Sequence, residues 1–248
     1  MTLQIRKSDG TITSVTRWFE LAPPKQGAKH WVDGRSAKEL AKSFVSTGAA
    51  VVPRALQDVL NSNVYIGAVE ITELWPEHKI PLDSFRGETR NADLAGLGVA
   101  PLGTIALTVE AKADEAFGDT ISSALASASE RSNIPNRIAA LVRGMTVRPA
   151  RELESLRYQL LHGAAASLIL AAEHKAKAAV FLVFEFCGPS CSEDKLRRNT
   201  DDLNAFVKML DPAAASVQSG LIGPLSVPGG GMIPSGIPLF IGKAVSFI

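Results

Sequence analysis

The chain has 248 residues, 46% of them hydrophobic and 21% charged, with a formal net charge of +1 at pH 7. That length suits one large α/β domain, and the composition is that of a folded globular chain rather than a disordered one. The near-zero balance gives no whole-molecule field to attract nucleic acid or an anionic membrane, so a nucleic-acid role requires a local basic groove.

The first residues, MTLQIRKSDG, lack the apolar core of a secretory signal. No run approaches the roughly 20 apolar residues of a membrane span, and AAASLILAA (164–172) reads as part of an amphipathic helix. Cys187 and Cys191 suit a reducing compartment and are too few for a disulfide framework or a closed zinc site. The expectation is a cytoplasmic protein without a membrane anchor. No pattern fixes the oligomeric state.

Residues 4–20 read as two short β segments around the turn Ser8-Asp9-Gly10. Ser36 and Glu39 have capping-box spacing, which predicts a helix with Ala37, Leu40, Ala41, Phe44 and Val45 on one face. A second helix is expected from Pro53, with Leu56, Val59 and Leu60 inward. Residues 35–61 thus form an N-terminal helical portion of a single 1–248 domain. VYIGAVEITEL (64–74) reads as a strand, followed by a loop with Pro76, Pro81 and Gly87. A short strand LAGLG (94–98) and the strand TIALTVEAK (104–112) complete a β-meander. The Ser/Ala-rich residues 120–134 are weakly patterned, and a long helix is expected around 150–174. AAVFLVFEFC (178–187) reads as a strand buried on both faces. Thr200 is the expected cap of a helix carrying Leu203, Phe206, Val207 and Leu210, ended by Pro212. LIGPLSVPGGGMIPSG reads as a loop before a final strand at 237–247. The order predicts an α/β fold with a mixed β-sheet flanked by helices.

Strand alternation puts Glu110 and Lys112 on one face, opposite Ile105, Leu107, Val109 and Ala111. Asp93, just before the preceding strand, is within hairpin reach of Glu110. Two carboxylates can hold a Mg²⁺ ion, which prefers hard oxygen ligands, and a neighbouring lysine can position water or stabilise developing charge. A carboxylate beside the lysine favours its charged form. The bland reading of Glu-x-Lys on a strand is a solvated face with a weak ion pair.

HWVDGRSAKELA (30–41), VEAKADEAFG (109–118) and LRYQLLHGAAASL (156–168) resemble, in order, the recurring GRSAxELA, VExKxDExFG and LRYQLLHR segments of a family of uncharacterised bacterial proteins. The central motif looks like that of the PD-(D/E)xK phosphodiesterase superfamily, which includes restriction-type endonucleases. That resemblance implies a restriction-endonuclease-like αβββαβ core, Asp93 and Glu110 as ligands of Mg²⁺ or Mn²⁺, and Lys112 as the catalytic lysine. Asn91-Ala92-Asp93 stands where many members have Pro-Asp.

Other candidates each have a plain structural reading. Asp114 and Glu115 are further oxygen donors or an exposed turn. Gln159 and His162, three apart on a helix, with Arg157 before them, are phosphate- or water-orienting groups or a polar patch between helices. In the superfamily a glutamine or basic residue on this helix sometimes faces the metal. Glu70 and Glu73 are earlier acids with ordinary surface spacing. Gly34-Arg35-Ser36 reads as a capped helix start, and Pro228-Gly229-Gly230-Gly231 lacks the lysine of a phosphate loop. Lys195, Arg197 and Arg198 are a short charge run. Neither Gly-x-Ser-x-Gly nor His-Glu-x-x-His occurs. The sequence therefore carries three expectations: first a metal-dependent nuclease or phosphodiesterase acting on nucleic acid, second a catalytically inactive nuclease-fold binding protein, and third an enzyme acting on a small phosphorylated ligand.

Overall fold

The computed structural model describes residues 2–8, 10–46, 48–85, 91–189 and 191–248. Asp9 of the expected first turn and Gly87 of the expected loop lie outside the described residues.

Strands β1 (Gln4–Lys7) and β2 (Gly10–Thr11) pair antiparallel. The β segment expected to run on to residue 20 is instead helix α1 (Val15–Leu21). Ser14 Oγ accepts the Arg17 N–H at 3.0 Å, and burial of Trp18 outweighs the β preference of Val15, Thr16 and Phe19. Helix α2 (Ser36–Phe44) buries Leu40, Ala41 and Phe44 as the spacing predicts. Its capping box is not formed. Glu39 Oε1 takes the Gly34 N–H at 2.8 Å, and Ser36 Oγ donates to Glu115 Oε1 at 3.0 Å. A hairpin of β3 (Val45–Ser46) and β4 (Ala49–Ala50) leads to α3 (Arg54–Leu60), which begins after Pro53.

The meander is β5 (Glu70–Lys79), β6 (Asn91–Ala100) and β7 (Gly103–Ala113). Strand β5 starts later than expected because Asn63 Oδ1 takes the Tyr65 N–H at 3.0 Å and turns the chain. It also runs through Pro76. That proline lies beyond Leu74, the last residue of β5 paired with β1, where the strand has become an edge. Strand β6 starts three residues before LAGLG, so Asp93 lies inside the strand rather than ahead of it.

The helical stretch after Gly118 resolves into α4 (Ile121–Ala126), α5 (Ile134–Met145) and α6 (Tyr158–Glu173). The helix expected from residue 150 begins only at Tyr158. Thr120 and Arg157 form an isolated β-bridge there, which holds the preceding residue extended. Strand β8 (Ala178–Cys187) is buried at every position. Helix α7 (Glu193–Leu210) is capped by Ser192, not Thr200, which sits mid-helix and donates to Leu196 O at 2.8 Å. The Gly/Pro-rich loop contains a short edge strand, β9 (Ile222–Leu225), antiparallel to β10 (Leu239–Phe247). Gly229 donates to Gly144 O at 3.0 Å, which seats this loop on α5. Cys187 and Cys191, read above as reduced thiols, are joined as a disulfide.

Eight strands form one mixed sheet in the order β2-β1-β5-β6-β7-β8-β10-β9. Strands β5, β6 and β7 are antiparallel, whereas β7, β8 and β10 are parallel. One face carries Ile105, Leu107, Val109 and Ala111 against Trp18, Leu40, Phe44 and Leu56. Phe44 meets Phe184 edge to face, with ring centres 6.4 Å apart. The other face carries Ala106, Phe181 and Val183 against Leu160, Leu161, Leu203 and Phe206. Each large side chain buried in these layers contributes about 1.5–3 kcal/mol of transfer free energy. Helix α6 lies flat on this second face because Gly163 has no Cβ, which would stand 2.3 Å from the Phe181 ring.

Candidate active site

The strand registers bring three carboxylates abreast. Leu94 pairs with Val109 and Ala95 with Thr108, so Asp93 falls beside Glu110. The pairs Pro76–Leu94 and His78–Ala92 bracket Glu77 and Asp93 in the same way. Glu77, Asp93 and Glu110 all line one cavity of about 340 Å³. Its other walls come from the segment after α1 (Pro24, Lys25, His30), the start of α2 (Ser36, Ala37) and α6 (Gln159, His162).

Lys112, one pleat beyond Glu110, places its Nζ 2.9 Å from Glu110 Oε1. Their side chains are only 7% and 13% exposed, so the pair is not the solvated ion pair of the plain reading. The Lys112 ammonium also stands 5.6 Å from the centre of the Phe117 ring. Gln159 Nε2 donates to the same Glu110 Oε1, while Gln159 Oε1 takes the Gly118 N–H at 3.2 Å. Asp93 Oδ2 takes the Ala111 N–H at 2.7 Å. That leaves Asp93 Oδ1 and Glu110 Oε2 as oxygen donors at the cavity.

Burial, and after it the Glu110 carboxylate, hold the Asp93 carboxyl well above the usual carboxylate range, against the pull of Lys112 and the Ala111 N–H. Burial also raises Glu77, with Glu110 adding to it and the Asn91 amide and Lys7 opposing it. For Lys112, burial lowers the ammonium pKa, but Glu110 and Asp93 outweigh it, and the group stays above its ordinary value. The row thus sets three carboxyl groups abreast beside one embedded cation, and burial there disfavours the charged forms of Glu77 and Asp93.

Glu77 is the site acid that sequence reasoning missed. The acids weighed on this segment, Glu70 and Glu73, lie elsewhere: Glu70 is exposed, and Glu73 is 3.8 Å from Arg6. Glu77 has φ 49, and Lys7 Nζ braces its backbone by donating to the carbonyls of Pro76 and Glu77 at 2.8 and 2.7 Å. The only sequence signal for it was the stretch after Pro76, masked by assigning that proline to a loop.

The remaining candidates divide. His162 joins Gln159 at the cavity and packs on Tyr158 with ring centres 3.7 Å apart. Glu115 is tied to Ser36, and Asp114 pairs with Lys195, outside the cavity lining. Arg157 turns away, 2.9 Å from Asp202 Oδ2 and 3.2 Å from Gly118 O. Arg197 pairs with Asp194 on the surface.

Behind the site runs a second set that no motif announced. Asn199 Nδ2 donates to Glu185 Oε1 at 2.7 Å and to Glu115 O at 2.9 Å. Lys243 Nζ lies 2.6 Å from Glu185 Oε2 and donates to Thr200 Oγ1 at 2.7 Å. This buried network pins the loop that follows Lys112 to α7.

A family model described as "Domain of unknown function (DUF6946)" matches residues 11–246. The chain belongs to that family. Nothing among the curated proteins and no solved structure matches this DUF6946 member. Among its described residues no helix is long and apolar enough to cross a membrane, and no group of three or more His, Cys, Asp or Glu is arranged to hold a metal ion. Asp93 and Glu110 contribute carboxylate oxygens to the cavity, hard donors of the type that Mg²⁺ and Mn²⁺ accept.

Proposed function

We propose that this protein is a metal-dependent phosphodiesterase of the nuclease type, with nucleic acid as its partner and the cytoplasm as its compartment. The observation that carries the reading is the in-register row Glu77, Asp93 and Glu110 at one cavity, with Lys112 two residues past Glu110 and Gln159 supplied by the crossover helix. The order α3, β5, β6, β7, then α4, α5 and α6, then β8 parallel to β7, supports a restriction-endonuclease-like αβββαβ core with α4 and α5 inserted before its second helix.

The reaction adds water across a P–O ester bond: hydroxyl to phosphorus, proton to the leaving oxygen. Mg²⁺ or Mn²⁺ held by Asp93 and Glu110 would supply Lewis-acid polarisation of the phosphoryl oxygen. Lys112, kept protonated by its two carboxylate neighbours, lies behind Glu110 and outside the cavity lining, so it acts through the carboxylate it holds and does not serve as the base. Gln159 fixes the Glu110 carboxylate against rotation.

Incubation of single- and double-stranded DNA and RNA with Mg²⁺ or Mn²⁺ tests this. Cleavage by the wild type that vanishes in Lys112→Met and Asp93→Asn is expected. Intact substrates across all combinations would refute it. The second reading, an inactive binding protein on the same fold, is favoured by one observation: Glu110 Oε1 is already taken by both Lys112 and Gln159. In that case calorimetric titration with Mn²⁺ gives no heat.

A further inference from the structure

The cavity continues beyond its carboxylates. Ile80, Leu82, Ala166 and Phe181 make one side of its lining apolar. Asp93 and Glu110 line another part of it, and Lys25 and His30, both exposed side chains, also border it. Its volume, about 340 Å³, is at the small end of the range for sites that enclose a small molecule. The segment after α1 and the start of α2 frame it, so the carboxylates are recessed: Glu110 keeps only 13% of its side chain exposed. A rigid duplex, whose phosphates ride on the outside of a rod far wider than the cavity, does not reach such a recess without unpairing.

We infer that the substrate is a nucleotide-sized phosphoester, either free or at the end of a single strand. Its ring occupies the apolar side, and its phosphoryl group lies on the polar side that Lys25 and His30 border, next to a divalent cation that Asp93 and Glu110 would hold. The hydrolysis and the seat of the phosphoryl group rest on the phosphodiesterase reading and its metal; the seat of the ring on the apolar wall does not. An apolar wall discriminates a ring from bulk water without hydrogen-bond readout, so base identity matters little.

Calorimetry in excess Mn²⁺ with thymidine 5′-monophosphate and with inorganic phosphate tests the binding. The nucleotide is expected to bind about 10- to 100-fold more tightly, the range that contact with one base gives. Ala37→Trp, at the half-buried start of α2, and Ala166→Phe, on α6, are expected to erase that preference with the circular dichroism spectrum unchanged. Should Ala166→Phe fail to fold, Ala37→Trp decides alone. Equal affinities for the two ligands, or no binding of either, overturn the inference. A cleavage assay then compares the p-nitrophenyl ester of thymidine 5′-monophosphate, a linear single strand and a covalently closed duplex circle. Hydrolysis of the first two with the circle intact supports it. Cleavage of the circle at a similar rate overturns the inference and leaves the phosphodiesterase reading standing. Selective nucleotide binding without hydrolysis of any substrate removes that reading and leaves the nucleotide site.

Discussion

Lys112 on β7 stands directly opposite Glu185 on β8 in parallel register, yet each pairs elsewhere, Lys112 with Glu110 at 2.9 Å and Glu185 with Lys243 at 2.6 Å. Two buried ion pairs thus lie side by side, and of their four side chains only Glu110 lines the cavity. Removing one partner from such a pair leaves an uncompensated charge, which costs about 3–5 kcal/mol. Lys112→Met is expected near the low end, about 3 kcal/mol, because Gln159 still bonds Glu110. Lys112→Arg keeps the charge and is expected to lose activity with a smaller loss of stability. Urea unfolding midpoints of the two variants check this; equal, negligible losses would contradict it.

Asp93 makes the metal-free protein less stable at neutral pH. Its folded pKa is raised, so the stabilisation of its protonated form is complete below the unfolded value of about 3.9 and is lost as pH rises through the folded value. Asp93→Asn removes that loss and can still accept the Ala111 N–H. The variant is expected to gain on the order of 1 kcal/mol at pH 7, about 2–4 °C in Tm, and the gain should shrink towards pH 4. A Tm difference independent of pH would show that the carboxylate is not under this strain.

On the phosphodiesterase reading the same proton competes with the metal. In wild type the acid limb of the rate profile is expected to follow Asp93, above the ordinary carboxylate range. Raising Mn²⁺ should shift that limb to lower pH. Lys112 sets no limb near neutrality, since its pKa lies above the usual lysine value. Initial rates across pH at two metal concentrations measure this; a limb indifferent to Mn²⁺ would separate the metal from Asp93.

Asn199 ties α7 to the loop after Lys112 through Glu115 O and to Glu185. Asn199→Ala leaves a buried carboxylate oxygen and a carbonyl short of a donor, at a cost of about 1–3 kcal/mol. Faster amide exchange at residues 114–118 is expected alongside it. Exchange confined to α7 would show that the loop is held by other contacts.

Gly163→Ala brings a methyl group to 2.3 Å from the Phe181 ring. The expected cost of this overpacking is about 1–3 kcal/mol, and α6 must lift Gln159 away from Glu110 to relieve it. A denaturant midpoint unchanged from wild type would rule out that clash.

Much of the site was legible because strand alternation is a two-residue rule. It set Glu110 and Lys112 on one face, and the buried run 178–187 declared its strand by composition alone. What failed was set by distant partners. Pro76 reads as a breaker until β1 is known to stop at Leu74, and with Pro76 went the strand position of Glu77. Ser36 looked like one half of a capping box because its true partner, Glu115, is 79 residues away. Asn199 and Lys243 gave no signal, since the need for them arises only when Glu185 is folded into the interior.

Lys7 holds the backbone of Glu77 from 70 residues earlier in the chain, across the junction of β1 and β5. A protein shortened by its first seven residues would retain every carboxylate yet lose the only described clasp on that left-handed turn. Its outermost acid would keep the Asn91 amide at 3.1 Å on its carboxylate but stand on a slackened backbone, and with β1 and buried Ile5 gone the damage would begin at the β5 edge.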